Sequence, residues 1–367
     1  MNRNIIVAGL VLVLFILTTT SGCLEYFSFD DGAITYETHP TNVRYDIQYG
    51  YRVTCGGTGN YEITYDCDIP ELLLGTISPY DILYRYDYEE TIIVNNDFIS
   101  WNISGDNSAT YELGTSTSVQ AEAFLVSDLN GNGAATLQEI KTTYLNIYNK
   151  YCNEQSVENT KYIDPDDSYI ASAAHNMLNQ TGSTNVFIVA KELFIWLKEN
   201  TAYNVHTDDN SVQPARTTYL LKTGDCDDLS FLYISLCRSV GIPARFIRGF
   251  LVEGNDSVAS AVAHAWVEVF VGGEIGDNGW IPVECACPSK DNDVQVHQNF
   301  GIESAGHLRL FKDDGSNESL NVSISGPRVK YDTSIEIDMT PFIEIDNYLT
   351  LKSESLVIDK EGIRTYE

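Results

Sequence analysis

Residues 223–246, TGDCDDLSFLYISLCRSVGIPARF, place a cysteine at the head of an apolar run with helical spacing. Gly224 permits a tight turn, so that Cys226 falls in the first turn of the predicted helix. The free N–H groups and the dipole at that position favour a thiolate. Gly241 stops the helix and Pro243 prevents its continuation. Cys226 is therefore a candidate nucleophile.

The partners that such a thiolate needs lie in two downstream segments. His264 opens HAWVEVFV, whose alternation is typical of a strand, and a histidine at the start of a strand can project over the edge of a cleft. The next strand-like segment, GWIPVEC, contains Glu284 at its end, where a carboxylate can reach the far ring nitrogen of the histidine. We therefore predict a triad of Cys226, His264 and Glu284.

In order and spacing, the blocks GDCDDLS…RSVGIPAR, HAWVEV and GWIPVE resemble the transglutaminase-like superfamily of papain-type cysteine enzymes. The resemblance covers residues 166–288 and implies an α+β core, with a cysteine-bearing helix packed on an antiparallel sheet. It implies that Cys226 is the nucleophile, that His264 is the general base and acid, and that Glu284 replaces the triad aspartate. Because glutamate is one methylene longer, the strand register or the rotamer must adjust. Asp277, in a predicted turn, is the nearest alternative carboxylate.

Acyl transfer through a thioester is the chemistry that this resemblance implies, with a peptide or protein as the substrate. Water as the acceptor gives a peptidase or amidase, and a lysine amine gives a cross-linking transglutaminase. The sequence leaves the acceptor open. A non-catalytic cell-surface module for adhesion or envelope organisation is the alternative function.

A second motif, residues 128–139 (DLNGNGAATLQE), matches an EF-hand calcium loop position by position. Gly133 occupies the sharp turn, and the flanking runs predict a single EF-hand-like helix-loop-helix over 116–152, with its first helix at 118–127. Two charged ligands alone favour weak, structural Ca²⁺ binding, on the order of 0.1–1 mM. The predicted ligands are Asp128, Asn130, Asn132, the carbonyl of Ala134, Thr136 and Glu139.

The elements that must position these residues divide into a β-rich part and an α+β part. Residues 30–111 alternate apolar and polar types between Gly, Asn and Asp, which predicts a sheet of about six strands. The run 186–200 is apolar almost all round and predicts a buried helix. We assign a β-rich domain to 23–115, the transglutaminase-like core to 160–310 and a C-terminal β extension to 311–367.

The N-terminus, MNRNIIVAGLVLVLFILTTTSGC, carries Arg3 before an apolar run that is too short for a comfortable membrane span. Small residues then lead to Cys23. The pattern resembles a lipoprotein signal peptide over 1–22, with a lipid on the Cys23 sulfur; an uncleaved anchor is the alternative. Either form predicts a membrane-anchored, extracytoplasmic protein at the cell surface.

The 367 residues include 22 Lys and Arg against 52 Asp and Glu, a formal net charge of −30. This charge repels phosphates, and we therefore expect no nucleic-acid partner. Export permits disulfides among the eight cysteines. With Cys23 lipidated and Cys226 free, the remaining six suffice for three bridges, and we expect one between Cys55 and Cys67 across a hairpin.

Overall fold

The computed structural model describes residues 32–152, 162–205, 212–255, 258–289, 291–316, 319–320 and 326–367, and the backbone of 26–28. The predicted signal peptide and Cys23 lie outside these residues. Within them, the strands form a nine-stranded sheet, a four-stranded sheet and two two-stranded sheets. In the described part of the chain, no helix has the length and hydrophobicity needed to cross a bilayer.

In chain order the strands are β1 (Tyr26–Ser28), β2 (Ile34–Asp68), β3 (Gly75–Ile77), β4 (Asp81–Ile82), β5 (Tyr88–Ile93), β6 (Asn96–Glu122), β7 (Phe124–Leu125), β8 (Ala202–Tyr203), β9 (Thr223–Gly224), β10 (Ala244–Asn255), β11 (Val258–Phe270), β12 (Trp280–Val283), β13 (Ile302–Glu303), β14 (His307–Lys312), β15 (Arg328–Tyr331), β16 (Ile335–Ile358) and β17 (Arg364–Tyr366). The helices are α1 (Leu137–Thr142), α2 (Leu145–Cys152), α3 (Ser168–Thr181), α4 (Val186–Asn200), α5 (Ala215–Leu221), α6 (Cys226–Ser239) and α7 (Asn292–Asn299).

The nine-stranded sheet is organised around β2, which pairs antiparallel with both β6 and β16. Its side chains alternate between buried and more exposed along much of its length, as the sequence pattern indicates. The segment GGTGN does not turn the chain back as predicted. Gly57 and Gly59 take positive φ values of 99° and 149°, and the register against β6 shifts there while the strand continues. Segments predicted as separate strands are therefore parts of one strand.

The expected disulfide between Cys55 and Cys67 is wrong, because both thiols are free and buried. The two residues lie twelve positions apart along β2. At about 3.3 Å per residue, an extended strand separates them far beyond the reach of a disulfide. Cys287 is disulfide-bonded. Further free thiols are those of Cys152, Cys226, Cys237 and Cys285.

The predicted C-terminal extension, 311–367, contains β15, β16 and β17 and only the last two residues of β14. β14 joins the core sheet through β10. β16 pairs with β2 from Ile335 opposite Gly57 to Ile358 opposite Ile34, and β15 and β17 extend the same sheet. The C-terminal strands therefore complete the N-terminal sheet instead of forming a separate unit.

The core sheet has the order β12-β11-β10-β14, with antiparallel pairing throughout. α6 packs against it, and the Phe231 ring of α6 lies 4.8 Å from that of Phe246 on β10. α4 is buried on most sides, as its composition predicts, and packs beside α6 in the same hydrophobic core. The sheet and α6 together position the predicted triad.

The helix predicted over 118–127 is wrong, because β6 continues to Glu122. Val119 and Ala121 are buried and their neighbours are more exposed, an alternation that pairing with β2 enforces. The predicted helix-loop-helix is therefore a strand-loop-helix that enters through β7 and leaves through α1. The helix that follows the loop is also interrupted, since α1 ends before Thr143 and α2 starts at Leu145.

Arg364 of β17 fastens the C-terminal strands to the core. Its side chain is fully buried, and its guanidinium donates to the carbonyl oxygens of Val126, Val296, His297 and Phe300. A cation here satisfies backbone acceptors that water cannot reach.

Replacement of this side chain should destabilise the whole fold. We expect Arg364→Met to lower the free energy of unfolding by about 3 kcal/mol, because several buried carbonyls lose their donor. Urea unfolding measures the change. The exposed Arg328→Met is the matched control and should shift stability by less than about 0.5 kcal/mol. Equal stabilities of the two variants would contradict this account.

Candidate active site

Cys226 is the first residue of α6, and its thiol is free and partly exposed. The turn before it is held by a capping box between Asp225 and Asp228. Asp228 is fully buried and accepts hydrogen bonds from Gln213, at 2.7 Å from its backbone nitrogen and 2.8 Å from its side-chain amide. The carboxylate therefore fixes the start of α6 against the preceding loop.

Two further carboxyls lie beside the thiol. Ligand atoms of Asp225, Cys226 and Asp227 lie within 4.8 Å of one another. Burial raises the pKa of Asp227 to about 9, and a hydrogen bond with Asp225 and the charge of that neighbour add to the shift. This shift favours a proton on the Asp225–Asp227 pair, which lowers the negative charge around the thiol.

His264 and Glu284 meet at the end of the core sheet. The pairing of Val267 with Val283 sets the register of β11 and β12, and Glu284 directly follows β12. The Nε2 atom of His264 lies 2.6 Å from Oε2 of Glu284, and both side chains are buried. The second oxygen, Oε1, accepts from the Ala286 N–H at 2.6 Å. The added methylene of glutamate thus still allows a direct contact with the imidazole.

The three predicted triad residues interact through the His264 imidazole. Because an ionised carboxylate only accepts hydrogen bonds, Nε2 of His264 carries the proton that faces Glu284. Cys226 interacts with the same imidazole through its side chain. Asp277 takes no part, since it lies exposed in a turn with its backbone bonded to Trp280.

The charges of the pair stabilise each other. Burial alone lowers the pKa of His264, but Glu284 and Cys226 together raise that pKa well above its ordinary value. Burial alone raises the pKa of Glu284, but the charges and hydrogen bonds of His264 and His307 hold that pKa far below its ordinary value. The described geometry therefore favours an imidazolium beside a carboxylate.

His307 was not among the residues predicted for the site. Its Nε2 atom lies 3.4 Å from Oε2 of Glu284, and its Nδ1 atom lies 2.8 Å from Oγ of Ser304. The pairing of Leu251 with His307 places β14 beside β10 and so brings this histidine to the site. The sequence contains a strand-like segment HLRLFK but no local signal that it joins the core sheet.

The Trp266 ring packs against both imidazoles. Its ring centroid lies 5.8 Å from that of His264 and 4.7 Å from that of His307. Its indole N–H donates to Glu303 at 2.9 Å, and Glu303 is paired with buried Arg309. A cavity of about 330 Å³ opens beside Glu284 and His307. Its wall includes Tyr36, Val43, Leu251, Tyr348 and Tyr366.

The calcium-type loop has a compact, self-bonded geometry. Asp128 accepts from the backbone N–H of Asn130 at 2.7 Å and from the side-chain amide of Asn132 at 2.6 Å. Glu139 accepts from the backbone N–H of Thr136 at 2.7 Å and from its hydroxyl at 2.8 Å, which forms a capping box for α1. The carboxylates of Asp128 and Glu139 are thus held by hydrogen bonds within the segment 128–139.

Ala135 takes the place at which a paired EF-hand loop would contact its second loop. Its N–H donates to the carbonyl of Val271 and its carbonyl accepts from the N–H of Val186. A Cβ on Gly272 would lie 2.6 Å from that of Ala135, so the contact requires small residues. The backbone of Val271 and Val186 therefore takes the place of the second EF-hand loop.

Residues 172–285 match the family model of the transglutaminase-like superfamily. This segment belongs to that superfamily. The predicted family is confirmed, and the transglutaminase-like domain contains α6, β11 and β12 with all three predicted triad residues. The Uncharacterized protein YebA of Bacillus subtilis is 29% identical over 116 residues, which cover 27% of this chain and 15% of YebA. The match thus spans a small part of that relative.

One solved structure supports the fold, and a second has a weaker likeness. A provisionally assigned cysteine protease from Cytophaga hutchinsonii superposes with a TM-score of 0.51 at 12% identity, covering 84% of this chain and 93% of that chain. The periplasmic domain of TgpA from Pseudomonas aeruginosa gives a TM-score of 0.32 at 12% identity, covering 71% of this chain and 94% of that one. The predicted mixed α and β fold, a transglutaminase-like core behind a β-rich region, is confirmed.

The buried pair predicts a pH window of stability. Glu284→Gln should lower the free energy of unfolding by about 3 kcal/mol, because the imidazolium loses its partner. The contribution of Glu284 is present above its ordinary pKa of 4.5 and disappears as the pH falls below it. The contribution of His264 is full below its ordinary pKa of 6.5 and disappears as the pH rises through its raised value.

The difference in the free energy of unfolding between wild type and Glu284→Gln should therefore be largest between about pH 4.5 and 6.5. Urea unfolding at several pH values measures it. Glu112→Gln, at an exposed ion pair, is the control and should cost less than about 1 kcal/mol. A difference that stays constant from acid to alkaline pH would rule out the charged pair.

Proposed function

We propose that this protein is an extracytoplasmic, membrane-tethered thiol enzyme that transfers acyl groups from peptide or protein amides. The observation that supports the proposal is the direct contact of His264 with Glu284, together with the interaction of Cys226 with the same imidazole, in a transglutaminase-like domain. A thiol at a helix start, an imidazole and a buried carboxylate are the parts that nucleophilic catalysis requires.

In the proposed reaction, the Cys226 thiolate attacks a carbonyl carbon, and backbone N–H groups at the start of α6 stabilise the oxyanion. The His264 imidazolium gives its proton to the leaving amine as the carbon–nitrogen bond breaks, which leaves a thioester. His264 then removes a proton from the acceptor, which attacks the thioester and releases Cys226. Water as the acceptor completes hydrolysis, and a primary amine completes a cross-link.

Glu284 has two roles in this proposal. Its carboxylate directs Nε2 of His264 away from the thiol, so that the other ring nitrogen faces Cys226. Its charge also keeps the imidazole protonated until the leaving group needs the proton. The additional methylene is accommodated because Ala286 holds the second oxygen.

The proposed location rests on the N-terminal sequence alone. The apolar run and the small residues before Cys23 favour export and attachment to a membrane through a lipid or an uncleaved anchor. A peptide or protein at the outer surface is then the substrate class.

We also propose that the loop 128–139 binds Ca²⁺ with a structural role. Side-chain oxygens of Asp128, Asn130, Asn132, Thr136 and Glu139 and the carbonyl of Ala134 are the chemistry that Ca²⁺ prefers. The loop touches the C-terminal strands, since Asn130 donates to the Glu361 carbonyl, and it touches the start of α4 through Asn185. An ion here would hold three sequence-distant segments together.

Thiol labelling tests the catalytic proposal. At pH 6, iodoacetamide should alkylate Cys226 at least about tenfold faster in wild type than in His264→Ala, because the imidazolium stabilises the thiolate. Mass spectrometry of the labelled peptide measures the rate, and Cys226→Ser gives the background from other thiols. Equal rates in wild type and His264→Ala would refute the proposal.

A glutamine peptide offered with and without a primary amine then separates cross-linking from hydrolysis.

Thermal melting tests calcium binding. With a dissociation constant near 1 mM, 10 mM Ca²⁺ should stabilise the protein by about 1.4 kcal/mol and raise Tm by about 2 °C. Glu139→Gln should abolish the rise, whereas Glu122→Gln, at an exposed position of β6, should retain it. Magnesium at the same concentration controls for ionic strength. A Tm that does not respond to Ca²⁺ would exclude the site.

A further inference from the structure

We propose that His307 is a positioning residue that holds the Glu284 carboxylate against His264, an inference that rests on the proposed function. Nothing in the predicted triad calls for a second histidine. Yet both imidazoles direct Nε2 at the same carboxylate oxygen, Oε2, from 2.6 Å for His264 and 3.4 Å for His307. All three side chains are buried.

Hydrogen bonding defines which nitrogen of His307 carries the proton. The ionised Glu284 carboxylate only accepts, so that Nε2 of His307 must be the donor. In a neutral ring Nδ1 then accepts, and the Ser304 hydroxyl lies 2.8 Å from it and donates. The turn from Ser304 to His307 is itself closed, because the His307 N–H donates to the Ser304 carbonyl. Nε2 of His307 donates to Glu284 whether the ring is neutral or charged, and Ser304 fixes the ring orientation through Nδ1.

A glutamate in the triad needs this additional support. Its side chain has one more rotatable bond than aspartate, so that its carboxylate has more orientations to choose from. Ala286 restrains Oε1, and His264 alone would otherwise restrain Oε2. His307 approaches from β14, on the far side of the cluster from β12. It therefore restrains Oε2 of Glu284 from a second side. The longer side chain and the second histidine therefore act as one unit.

A metal ion is a poor occupant of this cluster, although its ligand atoms lie within 4.8 Å of one another. The His264 and Glu284 atoms are already at hydrogen-bonding distance, 2.6 Å. Metal ligands at about 2 Å from a central ion lie more than about 3 Å apart, so a cation would have to break the triad contact.

Other charged groups face the cluster and shape its pH response. Cys226 approaches from α6. Glu253 of β10 interacts electrostatically with both histidines. Burial raises the pKa of Tyr203 of β8 and of Cys285, and the charge of Glu284 raises both pKa values further. Because these neighbours remain in every variant below, differences between variants report on the three central side chains.

The test is a double-mutant cycle on the rate of Cys226 alkylation by iodoacetamide between pH 4 and 9. His307→Leu should lower the rate near pH 6 on the order of tenfold, because Glu284 turns away from His264. His307→Gln should restore most of the rate, since its amide can donate from a similar position. In a Glu284→Gln background, His307→Leu should cause no further loss. His297→Leu, a histidine without contact to Glu284, should match wild type.

Ser304→Ala provides a milder variant in case His307→Leu does not fold. Loss of the hydroxyl frees the orientation of the His307 ring and should lower the rate in the same direction, by about threefold. Unchanged labelling in Ser304→Ala and His307→Leu, or equal losses from His307→Leu with and without Glu284, would overturn the proposal. In those outcomes wild type still labels faster than His264→Ala, so the triad survives. Slow labelling of wild type itself would remove both proposals.

Discussion

A carboxylate cannot be buried without donors, and the end of the core sheet is built around that constraint. Glu284 lies at the junction of three structural elements: β11 contributes His264, β14 contributes His307, and the chain after β12 contributes the N–H of Ala286. If any of these elements shifted, a charge would be left unpaired in a dry environment, at a cost of several kcal/mol. The geometry of the thiol site is thus maintained by the requirement to solvate one anion.

The predicted triad could be found in the sequence because each member lies in a local pattern. Cys226 begins α6, and in the sequence His264 opens one alternating run and Glu284 ends the next. The structure places His264 in the middle of β11 and Glu284 directly after β12. Consecutive antiparallel strands are adjacent in most folds, so local order was sufficient to predict proximity. His307 escaped because its strand follows a loop and a helix and pairs on the opposite edge, next to β10.

The errors in the β-rich part have a common physical origin. Glycines that were interpreted as turns instead allow irregular register within β2, and a segment with helical composition is a strand because β2 offers it hydrogen bonds. Local propensity is a weak prior, and tertiary pairing overrides it when a long partner strand is available. Both decisions depend on residues far away in sequence, which a local pattern does not contain.

The position of β2 has a consequence for how the molecule assembles. One edge of β2 pairs with β6, and the other edge pairs with β16. The residues of β16 that pair with β2 lie between about 280 and 320 positions further along the chain. Such a contact order makes closure of the sheet slow. Until β16 docks, β2 presents an open row of N–H and C=O groups on which another chain could add a strand. The risk of aggregation is therefore concentrated in the interval between synthesis of β2 and arrival of β16.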